Sequence, residues 1–247
     1  MEKFKRKKLI DLLRKVNLNG LTNKIWIKNT EKDTEIYHAL DDSGNLVIDS
    51  ILKGNVFDSG EEIGIYDVAL FLRYLEMFEV ESLAFKFVKN EDGENAKLIV
   101  SSKNKNVNYI LAKKDNIPSR GEFNKDPYEN ICYEFDFDND FISDILKSLE
   151  VSQSKYISFI IKKEDLFLYI GDIDSKEHLI KIKINDFKEI KPLDKDSITF
   201  HSEFFMSILR GNNKKISLKL VNGMIVYESK DEDIKSVYYQ RSLITKE

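Results

Sequence analysis

The sequence is poor in cysteine, proline and glycine, and it has no long apolar run. Its single cysteine, Cys132, excludes an internal disulfide and is typical of a protein that folds in a reducing compartment. The 3 prolines and 10 glycines among 247 residues argue against a fibrous or disordered chain. No stretch of about eighteen apolar residues occurs, so we expect no membrane-spanning helix. The charged N-terminus is not followed by an apolar stretch, which predicts no signal peptide.

Motifs of catalytic and cofactor sites are also missing. The three histidines, His38, His178 and His201, are scattered and lack the spacing of zinc ligands. Asp172 and Asp174 have the chemistry of a divalent-cation site, but they fall between two strand-like segments, where a solvated turn is the simpler interpretation. Phosphate loops, the G-x-S-x-G elbow and dinucleotide fingerprints do not occur. We therefore predict that the protein is not an enzyme and needs no metal or cofactor.

One amphipathic helical pattern is present in four copies. In the clearest copy, Leu70, Tyr74 and Leu75 follow Asp67, whose carboxylate can accept from free backbone N–H groups of the first turn. The same spacing of i, i+4 and i+5 returns in three further sets: Phe141, Ile145, Leu146; Phe204, Ile208, Leu209; and Lys8, Leu12, Leu13. Equivalent residues are 62, 71 and 63 positions apart, so two similar gaps flank a longer one. This spacing predicts a duplicated domain with a linker in the middle.

The segments around these helices have the composition of strands, which predicts an α+β fold. Each copy reads as a strand, a helix and three strands. The first copy is imperfect, because the short segment Met1–Phe4 leaves no room for a strand before the first helix, which is predicted over residues 3–17. Ser202 is predicted to cap the fourth helix. Residues 113–130 contain two of the three prolines and lack sustained periodicity. We therefore predict two domains, residues 1–112 and 131–247, joined by a connector at 113–130.

The net charge of −4 does not suggest conventional DNA binding, yet basic residues recur on the predicted helices. Position i+6 of the repeat lies away from the apolar stripe, and it is occupied by Arg14, Glu76, Lys147 and Arg210. Further cations lie nearby in the sequence: Lys3, Lys7, Lys15, Arg73 and Lys214. Helices placed side by side would form one local positive surface on an acidic protein. For any single basic helix, the alternative is a solvated face without a partner.

The segment Ile65–Leu75, IYDVALFLRYL, resembles the strand-to-helix segment of the T-even-type bacteriophage sliding clamps around their I-Y-D-L-x-x-F-L sequence. These clamps are DNA polymerase accessory proteins of the superfamily that includes proliferating cell nuclear antigen. The connector at Lys113–Asn130, the strand at Leu179–Ile184 and the helix at Phe204–Leu209 are similar in order and spacing. The resemblance therefore extends over essentially the whole chain.

The resemblance implies a homotrimeric ring whose helices line a hole for duplex DNA and whose antiparallel sheets lie outside. Such a clamp tethers a DNA polymerase for processive synthesis, and a DNA polymerase and a clamp loader are the expected protein partners. Basic inner residues would contact phosphates without reading bases. The DNA-facing residues are then expected to be Lys3, Lys7, Arg14, Lys15, Arg73, Lys147, Arg210 and Lys214. The expected location is the host-cell cytoplasm, at the replisome, if a phage encodes the protein.

The connector offers three apolar anchors for partner proteins: Ile117, Phe123 and Tyr128. An equally good role for these side chains is to hold the connector onto the second domain. Two other functions remain open at this point. One is a protein-interaction scaffold that does not bind DNA, and the other is a nucleic-acid-processing enzyme that binds metal through Asp172 and Asp174.

Overall fold

The computed structural model describes residues 6–57, 60–79, 83–118, 126–173, 179–212 and 214–243. The chain divides into two units, of which the first contains Met1–Gly121 and Asp231–Ser236. The second unit contains Glu122–Lys230 and Val237–Glu247. Both units consist of helices and antiparallel sheets, so the predicted α+β fold class is confirmed.

The first unit contains two helices and two antiparallel sheets. Its elements are α1 (Arg6–Asn17), β1 (Ile25–Asn29), β2 (Asp33–Leu40), β3 (Leu46–Lys53), β4 (Glu62–Ile65), α2 (Val68–Glu76), β5 (Ala84–Lys89), β6 (Asn95–Ser101) and β7 (Asn106–Ile110). One sheet has the order β3-β2-β1-β4 and the other β5-β6-β7. They meet where the Ala112 N–H donates a 2.9 Å hydrogen bond to the Gly64 carbonyl. A β-carbon on Gly64 would lie 2.5 Å from the Ala112 carbonyl oxygen, so this approach requires glycine.

The second unit repeats this arrangement with longer sheets. Its elements are β8 (Ile131–Phe137), α3 (Asn139–Ser152), β9 (Tyr156–Lys162), β10 (Asp165–Ile170), β11 (Ile180–Ile184), β12 (Phe187–Glu189), β13 (Ser197–His201), α4 (Ser202–Gly211), β14 (Ile216–Val221), β15 (Met224–Lys230) and β16 (Ile234–Arg241). One sheet has the order β11-β10-β9-β13, and the other β12-β8-β14-β15-β16. Residues 234–236 of β16 are grouped with the first unit.

The predicted repeat of a strand, a helix and three strands is confirmed. It occurs as β4-α2-β5-β6-β7, β8-α3-β9-β10-β11 and β13-α4-β14-β15-β16, and the first copy runs α1-β1-β2-β3. The leading strand of a repeat pairs outside that repeat: β4 pairs with β1, β8 with β14 and β13 with β9. Because the sheets that contain β4, β8 and β13 combine strands of two repeats in this way, two repeats form a unit together.

The predicted apolar stripe is buried in α1 and α4. In α2 and α3 it is buried only in part, because four of its residues are half-buried: Leu70, Tyr74, Phe141 and Leu146. Leu12, Leu13, Ile145 and Ile208 are fully buried. Asp67 accepts a 2.8 Å hydrogen bond from the Leu70 N–H, which confirms the predicted N-cap of α2.

The structure corrects one predicted cap and adds elements that the sequence pattern did not reveal. Ser202 is the first residue of α4 rather than its cap, and its hydroxyl instead donates to the Ser154 carbonyl. The short strand β12 was not predicted because three residues carry too little alternation. The predicted connector contains two 3-10 turns, Lys114–Asn116 and Pro127–Asn130.

Candidate nucleic-acid interface

Position i+6 of the repeat is exposed in all four helices. Arg14, Glu76, Lys147 and Arg210 each lie on the surface of their helix, opposite the buried stripe. The helical period therefore placed these side chains correctly relative to the core. The four side chains do not, however, form a simple row of cations, because some of them are paired with carboxylates.

In the first unit, Arg14 is paired with a carboxylate of the neighbouring helix. Its Nη2 atom lies 2.7 Å from Oε1 of Glu76, so an α1 side chain contacts an α2 side chain at the equivalent repeat position. Lys7 and Arg73 are also exposed. Within the described part of the chain, neither of them has a carboxylate within ion-pair distance, so their charge is not neutralised locally.

Two lysines of α1 point instead toward the segment Asp231–Ser236. Lys15 Nζ lies 2.8 Å from an Asp231 carboxylate oxygen, and Lys8 Nζ forms a similar pair with Asp233. Lys15 is only 8% exposed. The sequence prediction placed Lys15 on the exposed basic face, whereas the structure places it beneath an acidic turn, and we exclude it from the candidate interface. Lys3 lies outside the described residues.

In the second unit, Arg210 is paired in the same manner. Its Nη2 atom on α4 lies 2.7 Å from Oε1 of Glu150 on α3. Lys147 lies 3.8 Å from the Asp144 carboxylate of its own helix, and both side chains are well exposed. Lys214 is exposed in the turn after α4.

The two units differ in the charge of their helices. The α1 helix contains five cations and a single carboxylate, at Asp11. The α3 helix exposes three carboxylates, at Asp140, Asp144 and Glu150, and one cation, Lys147. The candidate basic surface is therefore concentrated in the first unit. Sequence reasoning missed Glu150 because it lies beyond position i+6, although its spacing of three from Lys147 places both on one helix face.

The described connector residues are held by their own unit. Ile117 is buried, and Phe123 lies outside the described residues. The Tyr128 hydroxyl donates a 2.5 Å hydrogen bond to Glu228, and Lys219 Nζ lies 4.6 Å from the centre of the Tyr128 ring. Burial and the hydrogen bond to Glu228 both raise the pKa of Tyr128. Its position fits the alternative role foreseen for these residues, which is to fasten the connector.

The residues weighed as metal ligands form no cluster where the structure describes them. Asp172 is exposed, while Asp174 and His178 lie outside the described residues. Across the described ranges, no three His, Cys, Asp or Glu side chains come together as a metal site requires. Cys132 is buried, and burial raises the pKa of its thiol. Among the described helices, none has the length and apolar content needed to cross a membrane.

The structure is similar to those of proliferating cell nuclear antigens. The protein from Entamoeba histolytica superposes with a TM-score of 0.70 at 12% identity, over 98% of this chain and 97% of that one. A chain of the PCNA2–PCNA3 complex from Sulfolobus tokodaii superposes with a TM-score of 0.65 at 12% identity, over 97% of each chain. No protein-family model and no curated protein matches the sequence. The chain thus has the fold of these clamps, and the narrower resemblance to bacteriophage clamps stays a prediction.

Proposed function

We propose that the protein is the subunit of a sliding clamp that encircles duplex DNA and tethers a DNA polymerase without catalysing a reaction itself. The observation that carries this proposal is the similarity of nearly the entire chain, including both units, to two clamp proteins. The exposed cations on the helices support it, because phosphate contacts that ignore base identity are what a sliding ring requires.

The DNA contact is proposed to lie on the helices, with the first unit contributing most of it. Lys7 and Arg73 offer positive charge that no described carboxylate neutralises, whereas Arg14 and Arg210 share theirs with glutamates. Lys147 and Lys214 lie in the second unit, whose α3 helix is more acidic, and we expect them to contribute less to DNA binding. The net charge of −4 then repels DNA from the remaining surface.

Ring closure is proposed to occur by pairing of edge strands between neighbouring subunits, giving a homotrimer. In the first unit, β7 is an edge strand with Ile110 57% exposed. In the second unit, β11 is an edge strand, while the opposite edge at β13 receives a hydrogen bond from Leu243. Joining β7 of one subunit to β11 of the next gives a head-to-tail contact, and this type of contact closes into a ring.

Two exposed apolar side chains outside the sheets are further candidates for this contact. Met77 follows α2 and is 50% exposed, and its carbonyl accepts a 2.6 Å hydrogen bond from Lys105, just before β7. Val151 in the last turn of α3 is 82% exposed. Burying these side chains between subunits removes apolar area from water, which favours association.

The proposal extends to partners and location. A DNA polymerase and a clamp loader are the expected protein partners, and the connector residues Ile117, Phe123 and Tyr128 remain the candidate contact. If a phage encodes the protein, it is expected to act at the replisome in the host cytoplasm.

Two measurements test the function. Light scattering should give about three times the subunit mass of 28.9 kDa, decreasing on dilution. On linear duplex DNA tethered at one end, the ring should thread over the free end, remain bound when that end is capped, and leave when the DNA is cut. A protein that stays monomeric at high micromolar concentration, or that leaves capped and open DNA at the same rate, is not a clamp.

A further inference from the structure

Each unit contains an ion pair of the same kind between its two helices. Arg14 on α1 contacts Glu76 on α2, and Arg210 on α4 contacts Glu150 on α3. In both pairs an Nη2 atom lies 2.7 Å from an Oε1 atom. The pairs are not copies imposed by the repeat, because Glu76 stands at position i+6 of its helix while Glu150 stands three residues later.

Both pairs are exposed, so their contribution to folding is small. The two members of each pair have at least two fifths of their side-chain surface accessible to water. Exposed pairs of this type contribute about 0–1 kcal/mol to stability. The buried stripes beneath them supply much more, since Leu12, Leu13 and Ile208 are fully buried. Stabilisation of the helix pair therefore does not explain why Glu76 and Glu150 stand at these positions.

The pairs do affect how the arginines can bind phosphate. A guanidinium that already donates to a carboxylate must break or share that contact before it can donate to a phosphate. The carboxylate that remains also repels the phosphate across a short distance. Each glutamate thus weakens the attraction of its arginine for DNA, while the exposed geometry keeps the exchange easy.

Resting on the proposed clamp function, we infer that Glu76 and Glu150 are positioning residues that weaken the hold of Arg14 and Arg210 on the DNA backbone and so allow the ring to slide. A ring retains DNA by topology, so it does not need tight phosphate contacts for residence. Strong contacts would slow its movement along the duplex. The glutamates keep the contact between the arginines and the DNA phosphates weak.

The test compares E76Q/E150Q with the matched control E31Q/E164Q in the full-length protein. Glu31 and Glu164 are exposed residues in hairpin turns, one in each unit, so the control removes the same charge away from the helices. We expect E76Q/E150Q to bind a short linear duplex about two- to fivefold more tightly for each pair removed. Its affinity should also decrease more steeply as salt concentration rises, because more phosphates are contacted. Diffusion along tethered duplex DNA should be slower than for the parent.

The arginines provide the second half of a double-mutant cycle. In R14Q/R210Q, further exchange of Glu76 and Glu150 should change affinity no more than the control exchange does, since the glutamates act through the arginines. Equal affinity, salt dependence and diffusion in E76Q/E150Q and E31Q/E164Q would overturn the inference. So would a loss of thermal stability in E76Q/E150Q alone with unchanged DNA binding, which is the signature of a structural role. Failure of the parent to form a ring or to be retained on capped DNA would instead refute the proposed function.

Discussion

The hydroxyl of Tyr109 on β7 hydrogen-bonds to both backbone polar groups of Asp67, the N-cap of α2. It donates to the Asp67 carbonyl at 3.0 Å and accepts from the Asp67 N–H at 3.2 Å. Tyr66 stacks on the same ring, with 5.5 Å between ring centres. The most distinctive segment of the sequence is thereby fixed to an edge strand that is proposed to form the subunit contact.

Replacing Tyr109 with Phe should destabilise the first unit. The change leaves the Asp67 N–H without its partner, whereas the Asp67 carbonyl keeps its hydrogen bond from the Phe71 N–H. Loss of a partner costs about 1–3 kcal/mol for a buried backbone group. Tyr66→Phe is the matched control, because the Tyr66 hydroxyl makes no hydrogen bond to a described residue, and this variant should stay within about 0.5 kcal/mol of the parent. Urea unfolding curves measure both variants. Equal stability of the two would show that water replaces the Tyr109 hydroxyl at no cost.

Ile110→Asp should weaken subunit association while the monomer stays folded. The side chain is 57% exposed on β7, so the substitution costs the isolated subunit little, but it places a charge in the proposed contact. A loss of roughly tenfold or more in the association constant is expected for a residue in such a contact. Val88→Asp, on the other edge strand of the same sheet and 37% exposed, is the control. If Val88→Asp dissociates the trimer and Ile110→Asp does not, then β5 forms the interface.

Two substitutions of Tyr128 distinguish anchoring of the connector from recognition of a partner protein. Tyr128→Phe removes the hydrogen bond to Glu228 but keeps the ring beneath Lys219, so it should cost about 0.5–1.5 kcal/mol. Tyr128→Ala removes both contacts. If the ring binds a polymerase, primer extension by the cognate polymerase should be stimulated normally by Tyr128→Phe and poorly by Tyr128→Ala. Normal stimulation by both variants would restrict Tyr128 to anchoring the connector.

Tyr133 should make the second unit sensitive to alkaline pH. Burial, with a smaller effect of the Glu189 carboxylate, raises the pKa of Tyr133 to about 12. The unfolded value is about 10, so the folded state keeps a proton that the unfolded state loses. The resulting stability is complete below about pH 10 and decreases by up to about 1.4 kcal/mol per pH unit as the pH rises toward the folded pKa.

Urea unfolding between pH 9 and pH 11 checks this dependence. Tyr133→Phe lacks the ionising group, so its stability should decrease less with pH than that of the parent over this range. Other groups titrate identically in both proteins, which makes the difference between the two slopes informative. Parallel decreases would mean that the Tyr133 phenol ionises freely in the folded protein.

Local periodicity predicted the repeat, but not the contacts between residues distant in the sequence. The helical period identified Leu12 and Ile208 as buried and Arg14 and Arg210 as exposed, because both properties depend on one helix packing on a sheet. It could not show that Lys15 is covered, since Asp231 lies more than two hundred residues away, in a short segment that is grouped with the first unit.

The ion pairs of the candidate interface show the same limit. Arg14 and Glu76 are 62 residues apart, and Arg210 and Glu150 are 60 apart. Their proximity is set by the packing of two helices, which no pattern within one helix contains. The resemblance to phage clamps predicted that the basic surface of the helices contacts DNA. Only the structure shows which of its charges are paired with carboxylates.

Lys7 and Arg73 should therefore contribute more to DNA binding, per charge, than Arg14 and Arg210. Within the described residues they have no ion-pair partner, so phosphate contact breaks no existing pair. K7Q/R73Q should reduce the salt dependence of duplex binding by about two phosphate contacts per subunit and lower affinity more than R14Q/R210Q does.

K53Q/K89Q, which removes two exposed lysines from strands of the same unit, should leave both quantities near those of the parent. All variants should keep the parent melting temperature, because exposed charge changes usually cost little. Binding measured by fluorescence anisotropy across a salt series decides the order, and a larger effect of K53Q/K89Q than of K7Q/R73Q would place the DNA on the sheets rather than on the helices.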